Sequence, residues 1–452
     1  MSLIHAKTAL LPDGWAQNVR VRLEGGRIAE VTRGAEPLGR VVQCLLPALV
    51  NLHSHTFQRA MAGLTEKRTA GQDSFWTWRT LMYRFLEQLT PEDVEAIAAM
   101  VMVEMAEAGY AAVAEFHYLH HAPGGGVYAD LAEMSTRIAA AAAETGLGLT
   151  HLPVLYERGG CDGRALTAGQ RRFGNDPDRF AALWEAARQG LRSLPADTVL
   201  GVALHSLRAV SPAGLDMAAG IDRGAPVHIH VAEQMAEVAE VMDATGQRPV
   251  EWLLRHQQVD TRWCLIHATQ MTPEETLALA RSGAVAGLCP ITEANLGDGI
   301  FDGQRFVQAG GRFGVGSDSN VRISLSEELR LLEYSQRLGL KGRACLATTE
   351  RSAGRVLFEG AATGGAQAAG RASGAIAEGL WADLVALDLS GPDLMGVQGD
   401  TILDTWIFAC DDRLVTDVWS AGRKLVTAGR HYARDQVMQR YGATAMRLRG
   451  SL

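Results

Sequence analysis

The chain has 452 residues, with 51 Asp and Glu against 43 Lys and Arg for a net charge of −8, which allows one large domain or two to three small ones. An apolar fraction of 47% with 21% charged residues excludes a mainly disordered chain. The absence of a basic cluster argues against nucleic acid as a partner, no apolar run approaches the ~18 residues of a membrane span, and no secretory signal pattern opens the chain.

Residues 1–48 read as short strand-like pieces (19–23 and 28–32) around a Gly25-Gly26 turn. A first buried strand is expected over 45–53. Thr90 caps a helix that has Pro91 at its first position and stops near Gly109. Further near-continuous apolar runs at 111–117, 149–155, 200–205, 227–230, 262–267, 284–289 and 313–317 read as strands buried on both faces. Between two of them, Thr272 to Glu275 opens a helix with a capping box, and Gly283 ends it. Eight strands alternating with helices predict an α/β fold, a (β/α)8 TIM-type barrel over 49–373. Strand-like pieces return at 384–387, 415–419 and 424–426. They predict one small β-sandwich domain built from both chain ends, 1–48 plus 374–430, with 431–452 as a C-terminal extension. An independent C-terminal module is the competing arrangement.

Most of the barrel strands carry an ionisable residue at or just beyond the C-terminal end: His53, His117, His205, His230, His267 and Asp318. Barrels of this kind hold their active sites at that end. The chain's 13 histidines would not gather there by random placement. His53-Ser54-His55 is an H-x-H pair, and alternate strand residues share a face, so both imidazoles can point into the barrel mouth. His228-Ile229-His230 is a second such pair, followed by Glu233. Gly316-Ser317-Asp318-Ser319 makes a turn able to present a carboxylate. Neutral imidazoles with one carboxylate suit Zn2+, and a site that leaves a position for water is catalytic.

Arg79 and Arg208 fall in loops expected at the same end, and guanidinium forks match carboxylates, which points to a small acidic substrate. Gln58, Tyr118 and His205 add neutral or switchable donors. The competing readings are an ordinary amphipathic helix start around Trp76, Trp78 and Arg79, and a structural ion pair at Arg208. His120-His121, just before Pro123 and three glycines, reads as a mobile surface loop and is not counted as a metal site. Six cysteines at 44, 161, 264, 289, 345 and 410 contain no C-x-x-C pair, so a disulfide framework is not expected and a reducing cytoplasm is.

Residues 45–55 resemble the first-strand metal motif of the amidohydrolase superfamily, and residues 374–385 are similar to its return into a small β-domain. The resemblance implies His53, His55, His230 and Asp318 as metal ligands and His267 as a catalytic neighbour. It also implies one Zn2+ per chain, because His205 stands where a bridging lysine would. The His230-to-Glu233 spacing is similar to that of the deaminase branch, in which Glu233 would move protons between the attacking water and the leaving nitrogen. Glu233, His267 and Asp318 are then the catalytic group. Segments 51–63, 73–79, 114–118, 205–210 and 292–299 resemble the members that deiminate a linear formimino compound in histidine degradation. That implies N-formimino-L-glutamate as substrate, Gln58, Arg79, Tyr118, His205 and Arg208 around its carboxylates, and a homodimer. Asn320 and Ile291 depart from the family pattern at positions that bear on substrate positioning. The alternatives are an aminohydrolase of a purine, pyrimidine or triazine ring, and a non-catalytic assembly barrel.

Overall fold

Eight apolar segments become a parallel barrel in the computed structural model, which describes residues 2–66 and 75–450. Its strands in chain order are Leu49–Ser54, Tyr110–His117, Gly148–Leu155, the pair Val199–Leu200 and Val202–Leu204, Val227–Val231, Trp263–His267, Val285–Leu288 and Arg312–Val315. Every residue of the first three is buried, as expected where helices cover the outside and side chains fill the inside. Gly201 stands between the two pieces of the fourth strand, where a Cβ would meet Leu152 Cδ2 at 2.4 Å. The barrel closes beyond its last strand. Asp318 N donates to the His53 carbonyl and His55 N to the Asp318 carbonyl, both at 2.9 Å, so the closing contact is made by residues of the expected metal cluster.

The strand expected over 45–53 is two strands in two sheets. Arg40–Pro47 pairs with Ser2–Leu11 and Leu384–Leu387, while Leu49–Ser54 opens the barrel. Pro47 has no N–H to continue a ladder, and both segments are buried, so their apolar pattern is continuous across the break. The second sheet runs Arg430–His431, Arg423–Thr427, Val415–Ser420, Leu384–Leu387, Arg40–Pro47, Ser2–Leu11, Gly14–Glu24, Arg27–Thr32. Both chain ends therefore share one sheet, and the independent C-terminal module is ruled out. Within that C-terminal stretch Asp400–Ala409 is a helix packed on the barrel helices Leu325–Leu340 and Ala353–Ala368. The terminal helix Arg434–Arg449 packs on Pro91–Glu107.

A buried ion network joins the two sheets. Arg371 Nε donates to Asp383 Oδ2 at 2.6 Å and its Nη2 to Asp197 Oδ2 at 2.8 Å, while Arg423 Nη1 reaches Asp197 Oδ1 at 2.6 Å. Removing one member of such a network leaves uncompensated charge, at a cost of about 3–5 kcal/mol. Arg371→Met is expected to lower the urea midpoint by that equivalent at constant m-value; a loss below about 1 kcal/mol would mean that water enters and solvates the two aspartates. No helix among the described residues is long and apolar enough to cross a membrane.

Candidate active site

His53 and His55 leave the first barrel strand on one face, as its two-residue period requires. Their Nε2 atoms both lie 3.2 Å from Asp318 Oδ1, and His230 Nε2 lies 3.1 Å from His53 Nε2. His55 Nδ1 donates to the Phe116 carbonyl and His230 Nδ1 to the His205 carbonyl, both at 2.9 Å. A carbonyl only accepts, so each ring keeps its proton on Nδ1 and turns a bare Nε2 toward the cluster. Metal-ligating histidines are oriented in this way. Two ring nitrogens 3.1 Å apart are close to the roughly 3.3 Å edge of a tetrahedron whose ligands sit about 2.0–2.1 Å from its centre. The donor set fits a divalent metal.

Burial keeps His53 and His230 neutral, the ligating form: His53 is pushed down to about 3 and His230 well below the usual imidazole range. Burial works against the Asp318 carboxylate, but the neighbouring His53 and His55 hold it well below its ordinary value. His267 differs. Its Nδ1 lies 3.3 Å from Glu293 Oε1 and its Nε2 3.8 Å from Glu233 Oε1. Burial opposes its charge, yet Glu233, Glu293 and Asp318 together raise it to about 10. One of its ring nitrogens lies within 4.8 Å of the His53, His230 and Asp318 donors, and His55 Nε2 lies 3.2 Å from Asp318 Oδ1, so both rings border the cluster.

The turn carrying Asp318 is held from below. Asn51 Nδ2 donates to Ser317 Oγ at 2.7 Å, and Ser317 Oγ donates to Asn320 Oδ1 at 2.6 Å. Asn320 Nδ2 in turn reaches Ser54 Oγ, the His55 carbonyl and the Asp318 carbonyl at 3.1–3.2 Å. Asn320 is thus a buried clamp on the His/Asp cluster and does not line the cavity that opens onto it. Asp318 and Asn320 have φ of 44° and 54°, and Ala232, His267 and Ala268 are also left-handed. Such strain at the ends of three strands persists only where surrounding bonds over-determine it. Asn320→Leu removes four hydrogen bonds and is expected to destabilise the protein by about 1–3 kcal/mol, read from thermal unfolding. An unchanged melting temperature would show that the turn stands without the clamp.

A cavity opens onto the cluster, lined by His55, Gln58, Arg79, Tyr118, His205, Arg208, His230, Glu233, His267 and Asp318. His53 lies beneath it, fully buried. Gln58 Nε2 donates to Tyr118 Oη at 2.7 Å, and the Tyr118 ring stands 4.8 Å from that of His55. Burial pushes the Glu233 carboxyl up, against the pull of His267. Glu237 accepts from the backbone N–H groups of Ala232 and Glu233, both at 3.1 Å. It fixes the turn after His230 and, like Glu293, was not singled out from sequence. Nothing local marks either, since each works through a partner on another segment or another turn. Arg79 lies on the helix Phe75–Leu86, whereas Asp73, Ser74 and the side chains of Trp76 and Trp78 lie outside the described residues.

His120 and His121 are buried, contrary to the surface-loop expectation. Both backbone N–H groups donate to the Arg172 carbonyl at 3.0 Å, and the buried Arg172 side chain donates back to the His121 carbonyl at 2.8 Å. His120 Nε2 bonds the Val154 carbonyl at 3.0 Å. These residues fill space beside the strands and make no metal cluster among the described residues. The glycines that follow suggested mobility, but Arg172, distant in sequence, decides the matter.

The profile of the Amidohydrolase family matches residues 44–425. The chain belongs to this family. Residues 1–40 match a second profile, described as the N-terminal domain of formimidoylglutamate deiminase HutF. A formimidoylglutamate deiminase from Pseudomonas aeruginosa is 50% identical over 445 residues, covering 96% of this chain and 97% of that protein. A 5-methylthioadenosine/S-adenosylhomocysteine deaminase from Natronomonas pharaonis is 28% identical over 78% of this chain and 74% of its own length. Among solved structures, an amidohydrolase from Brucella melitensis superposes with a TM-score of 0.96 at 51% identity, covering 99% of this chain and all of the other. An adenosine deaminase from Xanthomonas campestris with bound zinc has a TM-score of 0.83 over 99% of this chain and 98% of its own, but only 22% identity, and so carries the likeness of fold alone.

Proposed function

We propose that the protein hydrolyses the C=N bond of N-formimino-L-glutamate, releasing ammonia and leaving N-formyl-L-glutamate, as a step of histidine degradation. The observation that carries this reading is 50% identity to a formimidoylglutamate deiminase along almost the whole chain. It is supported by a single cavity that holds both the His/Asp cluster and two arginines. His53, His55, His230 and Asp318 would hold one divalent metal, with zinc the best match to three imidazoles and a carboxylate. When bound, it supplies the Lewis acidity that makes water nucleophilic at neutral pH.

The chain's own groups do the rest. Asp318 and His267 help to activate the attacking water and steady the charge that develops on oxygen. Glu233 carries a proton to the departing nitrogen, so that ammonia leaves. Arg79 and Arg208 bind the two substrate carboxylates, with Gln58, Tyr118 and His205 as neutral donors between them and the metal. The cationic formamidine end of the substrate suits Glu233 and Asp318, while its carboxylates need the arginines.

Incubation with N-formimino-L-glutamate is expected to yield N-formyl-L-glutamate and ammonia in equal amounts. Inertness toward it alongside turnover of an aminated purine, pyrimidine or triazine would replace this reading with the ring aminohydrolase. Truncating one partner of a buried charge pair costs about 2–5 kcal/mol. Arg79→Met and Arg208→Met are therefore each expected to lower kcat/KM by about 30-fold to several thousand-fold, with metal content intact. Near-normal values in both would remove the carboxylate clamp. The protein is proposed to work as a homodimer in the cytoplasm, and a monomer mass by light scattering at micromolar concentration would contradict the assembly.

A further inference from the structure

Tyr156 lies just beyond the third barrel strand, is 2% exposed and lines the substrate cavity. Its hydroxyl receives two hydrogen bonds, from Arg79 Nη2 at 3.1 Å and from Gln170 Nε2 at 2.8 Å. The direction of both is fixed. A guanidinium only donates. The Gln170 amide cannot be turned round, because its Oε1 accepts from the backbone N–H and the hydroxyl of Thr167, at 2.8 and 2.9 Å. Both bonds consume lone pairs of the Tyr156 oxygen and leave its hydrogen to give. No described residue accepts that hydrogen.

The position of this donor matches a substrate group away from the metal. The Tyr156 ring is 4.5 Å from that of His205, and the His205 ring is 5.2 Å from that of His230. One imidazole thus separates Tyr156 from the metal cluster, and the hydroxyl sits beside Arg79. A buried hydroxyl hydrogen next to a guanidinium calls for an anionic acceptor, and a carboxylate oxygen can take the hydrogen bond while its charge meets the arginine.

We propose that Tyr156 donates a hydrogen bond to one carboxylate of the substrate, with Gln170 and Thr167 fixing the direction of that bond, and so helps to select a dicarboxylate. This assignment rests on the reaction proposed above and adds a specificity-determining residue to its site.

The test is Tyr156→Phe, which removes one oxygen and keeps the ring. Three substrates are compared: N-formimino-L-glutamate and the N-formimino derivatives of 4-aminobutanoate and L-2-aminobutanoate, each lacking one of the two carboxylates. A hydrogen bond to a charged group predicts a loss of about 10- to 100-fold in kcat/KM on the glutamate compound, carried by KM more than by kcat. On the analogue that lacks the bonded carboxylate, the wild-type and variant values should come within about twofold, whereas the other analogue keeps the loss. Equal losses on all three substrates would mean a structural role and overturn the proposal, as would a variant within twofold of wild type on the glutamate compound. Wild-type protein that released no ammonia from N-formimino-L-glutamate would instead overturn the reaction itself, and the role of Tyr156 with it.

Discussion

Chelation of the metal is expected to abolish turnover, and stoichiometric zinc to restore it. Without a cation, the bare Nε2 of His55 faces the Asp318 carboxylate at 3.2 Å, and His53 Nε2, which carries at most one proton while neutral, faces both Asp318 Oδ1 at 3.2 Å and the bare Nε2 of His230 at 3.1 Å. Acceptors brought this close are favourable only around positive charge. Zinc lowers the pKa of water from about 15.7 to about 7, so a protein without it loses most of its nucleophile at neutral pH. The loss in kcat/KM should exceed ~10⁴-fold, both on chelation and in Asp318→Ala, whose change also removes a proposed proton carrier. Elemental analysis should find about one metal per chain in the wild type and much less in the variant. Full activity in demonstrably metal-free protein would end the assignment.

Glu233→Gln is expected to reduce kcat by about 10²–10⁴-fold, the usual range for a lost general acid or base, while leaving metal content unchanged. Glu233 is buried, and burial raises its carboxyl above the ordinary value, which favours the protonated form needed to deliver a proton to nitrogen. Glutamine keeps the shape and the backbone anchoring to Glu237 but has no proton of comparable acidity. The effect should therefore appear in kcat at unaltered metal occupancy. An unchanged kcat would remove Glu233 from the proton path. A parallel loss of metal would indicate that the substitution disturbs the cluster.

Much of the site was legible because its signals are local. The H-x-H pair at His53 and His55 needs only the alternation of a strand to bring two imidazoles to one face, and His230, His267 and Asp318 stand at the ends of runs whose apolar character already marked them as strands. Arg208 was legible as a cation in a loop at the same end, whereas Arg79, expected in a loop, lies on the helix Phe75–Leu86; the cavity brings both together with the cluster. Glu293 and Glu237 were not singled out. Glu293 matters through its 3.3 Å approach to His267, and Glu237 through two backbone N–H groups one turn away. Neither carboxylate stands in a pattern that separates it from a solvated helix face.

The sequence by itself determined the eight barrel strands, the end of the barrel where ionisable residues gather and the donor types found there, because strand period and burial act within a few residues. Tertiary structure alone decided where the first strand breaks at Ala48, since two buried sheets share one apolar pattern and only their hydrogen-bond partners differ. It also decided that His120 and His121 lie inside, held by the carbonyl of Arg172, and that Asn320 clamps the turn of Asp318 to the first strand. In each case the deciding bond joins segments far apart in the chain, and its donor and acceptor meet only in the folded structure.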